Sequence, residues 1–509
     1  MFFLFSCNSE RKEFEKVKKQ NTEEAYTEFI KNFPESSFVN EAKDLRLKTD
    51  SIEVIISTFL GNERRNYYGD SLPDRLDTIW KFYLGEGLSP AYGYDKIWKG
   101  AGWTGQPSLI KEKGRYYIIQ SAFDYGVHKI DVLTAEEIWI YKFDDILKGS
   151  PTIWVNKHAD NIEDRYVILQ GSRRGWDKDL TSEFCWSFRA VSYISGKELW
   201  RHNSIATDSY SRDVDASALV ISDTGYIPLE NAIFTIFDPD HTKGSKFNGY
   251  TIPKIYRELQ YYTQADVDAH GDAIEAESSP TLIGDRIYTA SGTGWIYGYN
   301  ITKGKNDWEF YIGSDLNGSM PATHDNCLLV PIEKEHISGN GGVMKIDPSK
   351  NPEDAVVWFF PTDSVKWLHW EGGIIGSITI NDKTKKPDEP YLATFIDCNG
   401  DLFVLDYMSF EPDSTVWCPN LKQKHSTPKL LAKIRTHPSI ATPIIVQNRI
   451  LAPTDSGLFL FEFKFVNDEF QIELIDKNLN KSFDATAIAW NGRIYLADFE
   501  GYLWCYGLR

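Results

Sequence analysis

Eight times along the chain a run of small residues leads into a short apolar strand: "GQPSLI" at Gly105, "GSPTIW" at Gly149, "DASALV" at Asp215, "SSPTLI" at Ser278, "GSMPAT" at Gly318, "IIGSITI" at Ile374, "SIATPII" at Ser439 and "FDATAIA" at Phe483. After each opening the pattern reads strand, turn, strand, turn, strand. "SSPTLIGDRIYTASGTGWIYGYN" and the tail "ATAIAWNGRIYLADFEGYLWCYG" agree almost line for line. The period of roughly 40 to 65 residues suits a four-stranded propeller blade with insertions. A chain built this way cannot be a helical bundle, and its units bury their faces only against one another.

Third strands recur as "GWIYGYN", "GDLFVLD", "GLFLFEF" and "GYLWCYG", each opened by a glycine (294, 400, 457, 501) that suits a tight turn. Outer strands recur with a tryptophan: "EEIWIYKF", "KELWRHN", "NDWEFYI" and "AVVWFFP", carrying Trp139, Trp200, Trp308 and Trp358. The last unit has no such strand, whereas an unclaimed one, "LDTIWKFYLGEG" with Trp80, precedes the first. If 76–87 completes the last blade, both ends of the chain pair and the ring closes without an open sheet edge. The expected fold is therefore all-β, an eight-bladed β-propeller over residues 76–509 with a short N-terminal α-helical segment.

Composition fits and narrows the partners. The 16 Trp, 27 Tyr and 29 Phe suit sheets packed face to face, and no apolar run reaches the roughly 20 residues of a spanning helix. A formal charge of −18 with no basic block argues against nucleic acid. The cysteines at 7, 185, 327, 398, 418 and 505 form no CxxC and no adjacent pair, which leaves neither a zinc signature nor a disulfide framework.

"YISGKELWRH", Tyr193 to His202, resembles the tryptophan-docking motif of propellers of the pyrroloquinoline quinone (PQQ) repeat type; "NITKGKNDWEF" and "DVLTAEEIWIY" are looser copies. The resemblance implies a tryptophan packed between neighbouring blades. It also implies two kinds of relative: quinoprotein dehydrogenases that hold PQQ with calcium, and non-catalytic envelope lipoproteins. The enzymes' adjacent-cysteine disulfide and haem-attachment motif are missing here, so the expectation is a non-enzyme with neither PQQ nor calcium.

"MFFLFSC" places Leu4, Ser6 and Cys7 as in a lipobox, with Cys7 the lipidation site of a truncated signal segment, 1–7. Residues 8–62 read as helical, with Phe14, Val17, Tyr26, Phe29, Ile30 and Phe33 on one stripe and a tetratricopeptide-like "EEAYTEFIKNFPESSFVNEAKDLR". One such unit cannot bury its own face, so a helical hairpin lying on the ring is expected. Residues up to about 70 are expected to pack against the ring without belonging to it.

In "DVDAHGDAIEAE", Asp266, Asp268, Gly271 and Glu277 fall at positions one, three, six and twelve of a calcium loop. His270 at position five and the strand that follows weaken the match; a solvated acidic connector is the preferred reading. The connectors entering the innermost strands gather at one rim, bringing Trp103, Asp213, Asp215, Glu275, Glu277, Asp315, Trp370, Glu371, His437 and Asp484. Such a rim either focuses a negative potential on cations or basic peptide, or merely reflects acidic loops everywhere on this chain. In "KWLHWEGGIIGS" the tryptophans 367 and 370 are read as plugging the channel, with an exposed anchor as the alternative. These readings together suggest a binding propeller of the bacterial envelope, lipid-anchored, whose rim loops hold another envelope protein or basic peptide. A glycan-binding surface protein and a PQQ-dependent dehydrogenase are the alternatives.

Overall fold

Each opening carries the chain into the innermost strand of one blade, and eight such sheets make an eight-bladed β-propeller. The computed structural model describes residues 3–49, 51–91, 93–467 and 469–508, with the backbone alone for 3–9. Blade 1 consists of Ser108–Glu112, Arg115–Ser121, Gly126–Asp131 and Glu137–Lys142. Blade 8 consists of Ile488–Trp490, Arg493–Ala497 and Tyr502–Gly507, and its outer strand is Thr78–Tyr83, paired antiparallel with Trp80 opposite Cys505. Blade 5 departs from four strands: its inner position is held only by the bridge Ala322–Leu328. The third-strand glycines have positive φ, and at Gly294 a Cβ would lie 2.6 Å from Gly313, so no larger residue fits that turn.

The Ser or Thr in seven of the eight openings, all but that of blade 1, has a common task. An innermost strand has no inward neighbour, so its N–H groups need other partners. A belt of side chains supplies them. The N–H of Gln106 donates to Ser150 Oγ (2.8 Å), Ser217 to Ser279 (3.0 Å), Ser279 to Ser319 (2.9 Å), Ser319 to Ser377 (2.9 Å), Ser377 to Thr442 (3.0 Å) and Thr442 to Thr486 (3.4 Å). Ser217 Oγ donates back to Ser150 O and Thr486 Oγ1 to Trp103 O, so the belt passes through all eight blades. Only a short hydroxyl bridges adjacent blades at this spacing, which is why the openings read Ser or Thr.

A second ring lies further out. The indole N–H groups of Trp80, Trp139, Trp200, Trp308 and Trp358 donate to the carbonyls of Val132, Tyr193, Pro239, Lys350 and Tyr407, each in the following blade, at 2.9–3.1 Å. Trp80 thereby ties blade 8 to blade 1 by the same contact that ties blade 1 to blade 2.

Residues 8–62 are not helical throughout. Helices α1 (Phe3–Gln20), α2 (Glu23–Asn32) and α3 (Val39–Thr49) share a small core of Phe14, Val17, Tyr26, Phe29 and Ala42. They dock on blade 2 through polar contacts: Arg46 to Ala159 O (2.6 Å), Arg165 to Glu23 (3.0 Å) and Lys43 to His158 (2.8 Å). Helix stops at Thr49. Strand β1 (Ile52–Ile56) then joins the inner edge of blade 1, and the segment to residue 76 circles inside the ring.

That segment touches every blade. Its partners are Gln106, Ile153, Ala218, Pro280, Ala322, Ile380, Gln447 and Ala489, one from each blade in turn. Phe59, Leu60, Arg65 and Tyr68 are buried. Arg65 donates to Thr58 Oγ1 and to the carbonyls of Phe59, Ser217 and Pro280, and burial pushes its pKa down to about 9 against the charge of Glu63. The expectation that residues before 70 merely lie on the ring is thus corrected for 52–70, which plug it. The plug reaches the turns after the inner strands (Gln447, Asn491), leaving the connectors before those strands to form the opposite mouth.

Candidate functional site

Carboxylates crowd one side of that mouth. Asp213 and Asp215 enter blade 3, Glu275 and Glu277 enter blade 4, and Asp315 enters blade 5, as the rim positions suggest. Loops that follow second strands add Glu230, after Thr224–Leu229, and Glu333 and Glu335, after Leu328–Ile332. Two triads result. Oxygens of Asp215, Glu230 and Glu277 lie within 4.8 Å of one another, as do those of Asp315, Glu333 and Glu335; all are buried except Glu335.

Two cations answer the first triad. Lys148 lies 2.7 Å from Asp215, 3.6 Å from Asp213 and 3.7 Å from Glu230. Arg173 pairs with Asp213 at 2.8 Å, and its other end holds Ser89 and Pro90 on the hairpin Glu86–Ala91/Tyr94–Lys99. Ser211 donates to Glu230 (2.6 Å). Asp213 is held below its usual pKa: burial opposes its charge, but Arg173 and Lys148 outweigh it. Burial likewise opposes the charge of Lys148, yet Asp215, Glu230 and Asp213 hold it well above its usual value.

Five carboxyls go up. Burial, then Asp215, raises Glu230 well above the carboxylate range and brings Glu277 to about 8. Burial followed by Asp315 raises Glu275 and Glu333, and burial with Glu335 brings Asp315 to about 7. Near neutral pH this mouth therefore holds protons that an incoming cation would release.

The aromatic turn at Trp367–Trp370 stands beside the second triad instead of in the channel. Its indoles stack at 5.4 Å, half-buried, with Leu368 between them 67% exposed. Burial lowers the pKa of His369, against the charge of Glu335. The diglycine after it explains the position: Gly373 bridges to Glu333, and a Cβ there would come within 2.5 Å of Ile332 O. Trp367 and Trp370 thus flank the acidic cluster, and the channel is filled from its other end.

The remaining rim residues scatter. Trp103 is buried with its carbonyl in the Ser/Thr belt, and Glu371 is exposed beside the aromatic turn. His437 is exposed and rests on Phe459. Asp484, raised to about 7 by burial and Asp455, sits in the connector to blade 8. Asp266 to Glu277 forms no ion loop. Residues Gln264–His270 are helix α4, whose N-cap Thr263 is held reciprocally by Asp266; the other Asp266 oxygen accepts from Trp295, while Asp268 is exposed and Glu277 belongs to the first triad. Lys148, Arg173, Glu230, Glu333 and Glu335 were not indicated by the connector pattern.

No family model matches the chain, and no curated protein matches it. Among solved structures it is similar to BamB from Moraxella catarrhalis: 11% identity, 85% of this chain and 100% of that one covered, TM-score 0.51. A quinohemoprotein alcohol dehydrogenase from Comamonas testosteroni is 12% identical, with 90% of this chain and 81% of that one covered and a TM-score of 0.49. At 11% identity the likeness to BamB is one of fold.

Proposed function

We propose that this chain is a non-catalytic binding propeller of the bacterial envelope, and that its acidic mouth receives a basic segment of another envelope protein. The observation that carries the reading is eight carboxylates, Asp213, Asp215, Glu230, Glu275, Glu277, Asp315, Glu333 and Glu335, set against Lys148 and Arg173, with stacked tryptophans alongside. Such a mouth concentrates field on arriving cations, and indole faces attract the same groups.

The lipobox-like Leu4 to Cys7 supports a lipid anchor; the side chains of this segment fall outside the described residues. Among the described residues no helix is long and apolar enough to cross a membrane.

A quinone dehydrogenase fits the mouth poorly. PQQ is a tricarboxylate, and Lys148 and Arg173 at this mouth are already paired with carboxylates. The five described cysteines are free, so they supply no disulfide for a quinone to stack on.

The test is fluorescence anisotropy with a labelled arginine-rich dodecapeptide. Binding should weaken steeply with salt and fall by at least about tenfold in Glu335→Gln/Glu371→Gln, a loss of about 1.4 kcal/mol. Both side chains are exposed, so folding should survive. An affinity indifferent to salt and to both substitutions would contradict the reading.

A further inference from the structure

We propose that Asp315, Glu333 and Glu335 form a binding site for one hard divalent cation of calcium type. The ligands come from two connectors of blade 5; they are among the carboxylates of the basic-segment reading, and the ion is tested with no peptide present.

Three carboxylate oxygens within 4.8 Å of one another repel unless protons or a cation lie between them. Two histidines stand by this triad: His336, 3.6 Å from Glu335, and His369, on which the charge of Glu335 acts. Lys148 serves the other triad. Asn317 fixes the spacing: its Nδ2 donates to Asp315 Oδ2 (3.1 Å) and Glu333 Oε1 (3.0 Å).

A second observation concerns missing hydrogen bonds. Asp315 Oδ1 and Asn317 Oδ1 are buried acceptors that receive no hydrogen bond, and Asp315 is 9% exposed. Buried acceptors are nearly always satisfied, so a pair of orphans beside three carboxylates marks a position for a positive group.

The frame is rigid. Ser314 Oγ reaches the carbonyls of Glu333 (2.6 Å) and Glu335 (2.8 Å) and accepts from Glu335 N (3.1 Å), locking both loops together. Exposed Glu335 leaves a path for entry. An all-oxygen, carboxylate-rich set suits calcium, whereas zinc prefers nitrogen and sulfur.

The experiment is calorimetric titration of metal-free full-length protein with Ca²⁺, paralleled by Tb³⁺ luminescence sensitised by tryptophan. One ion should bind with a dissociation constant at or below about 1 mM. Glu335→Gln, at an exposed position, should weaken binding at least tenfold while leaving the melt unchanged, and Asp315→Asn should weaken binding as much. Asp268→Asn, in helix α4, should leave it intact. No signal up to about 10 mM Ca²⁺, undiminished binding in Glu335→Gln, loss in Asp268→Asn, or zinc binding that requires His336 would each overturn the proposal.

Discussion

Deleting residues 1–50 should leave a folded, soluble ring, whereas deleting 1–77 should leave a chain that aggregates near room temperature. The first cut removes α1 to α3, whose core is their own and whose contacts with blade 2 are polar and can be taken over by water. The second removes the plug and bares inner-strand groups in all eight blades. Losing one large buried side chain costs about 3–5 kcal/mol, and the plug carries Ile56, Phe59, Leu60 and Tyr68, all buried. Against a typical stability of about 5–15 kcal/mol the ring should not survive. Arg65→Ala gives a graded version: each carbonyl it orphans costs about 1–3 kcal/mol, so a loss of roughly 3 kcal/mol or more is expected in a denaturant melt. Equal thermal melts for the two truncations would mean that 52–76 is an ornament.

The second large effect is on pH. In chelator-containing buffer the protein should be more stable at pH 5.5 than at pH 8.5. The folded-state pKa values of Glu277 (about 8), Asp315 (about 7) and Asp484 (about 7) lie above the unfolded carboxylate range near 4. Between those limits the native state binds more protons than the unfolded state, so stability falls as pH rises and levels off above about 8. His128, raised by Asp124 and Glu137 although its burial opposes this, acts in the same sense. His202, lowered to about 4 by burial, acts against it below its unfolded pKa. A tenfold change in proton affinity on folding is worth about 1.4 kcal/mol, so a difference on the order of 2–4 kcal/mol is expected. Glu277→Gln with Asp315→Asn should flatten most of it. A melt that is equal or higher at pH 8.5 would contradict the electrostatics of the mouth.

The ring was legible in the sequence because its contacts repeat. Ser150, Ser279, Ser319 and Ser377 recur for one hydrogen bond, and Trp139, Trp200, Trp308 and Trp358 for another, so Trp80 could be matched to its blade from the far end of the chain. The plug was not legible. Its residues answer eight different neighbours, and Arg65 or Tyr68 has no periodic counterpart. Five of the eight carboxylates were legible, since Asp213, Asp215, Glu275, Glu277 and Asp315 lie on connectors that must converge. Glu230 and Glu333 end second strands, in "YIPLE" and "LLVPIE", and extending the strand register by one residue would have placed them at the same mouth. Trp367 and Trp370 misled because aromatics usually fill cores; here Gly372 and Gly373, at φ +137° and +84°, carry the turn out to the surface.

Hydrogen exchange read by mass spectrometry, with and without a saturating arginine-rich peptide, locates the binding surface most directly. The acidic mouth predicts slowed exchange in 208–215, 272–277, 313–317, 333–337 and 364–373, with the plug at 52–76 unaffected. Protection confined to the plug end or to the outer blade edges, or none at saturation, would contradict the assignment of function to this mouth.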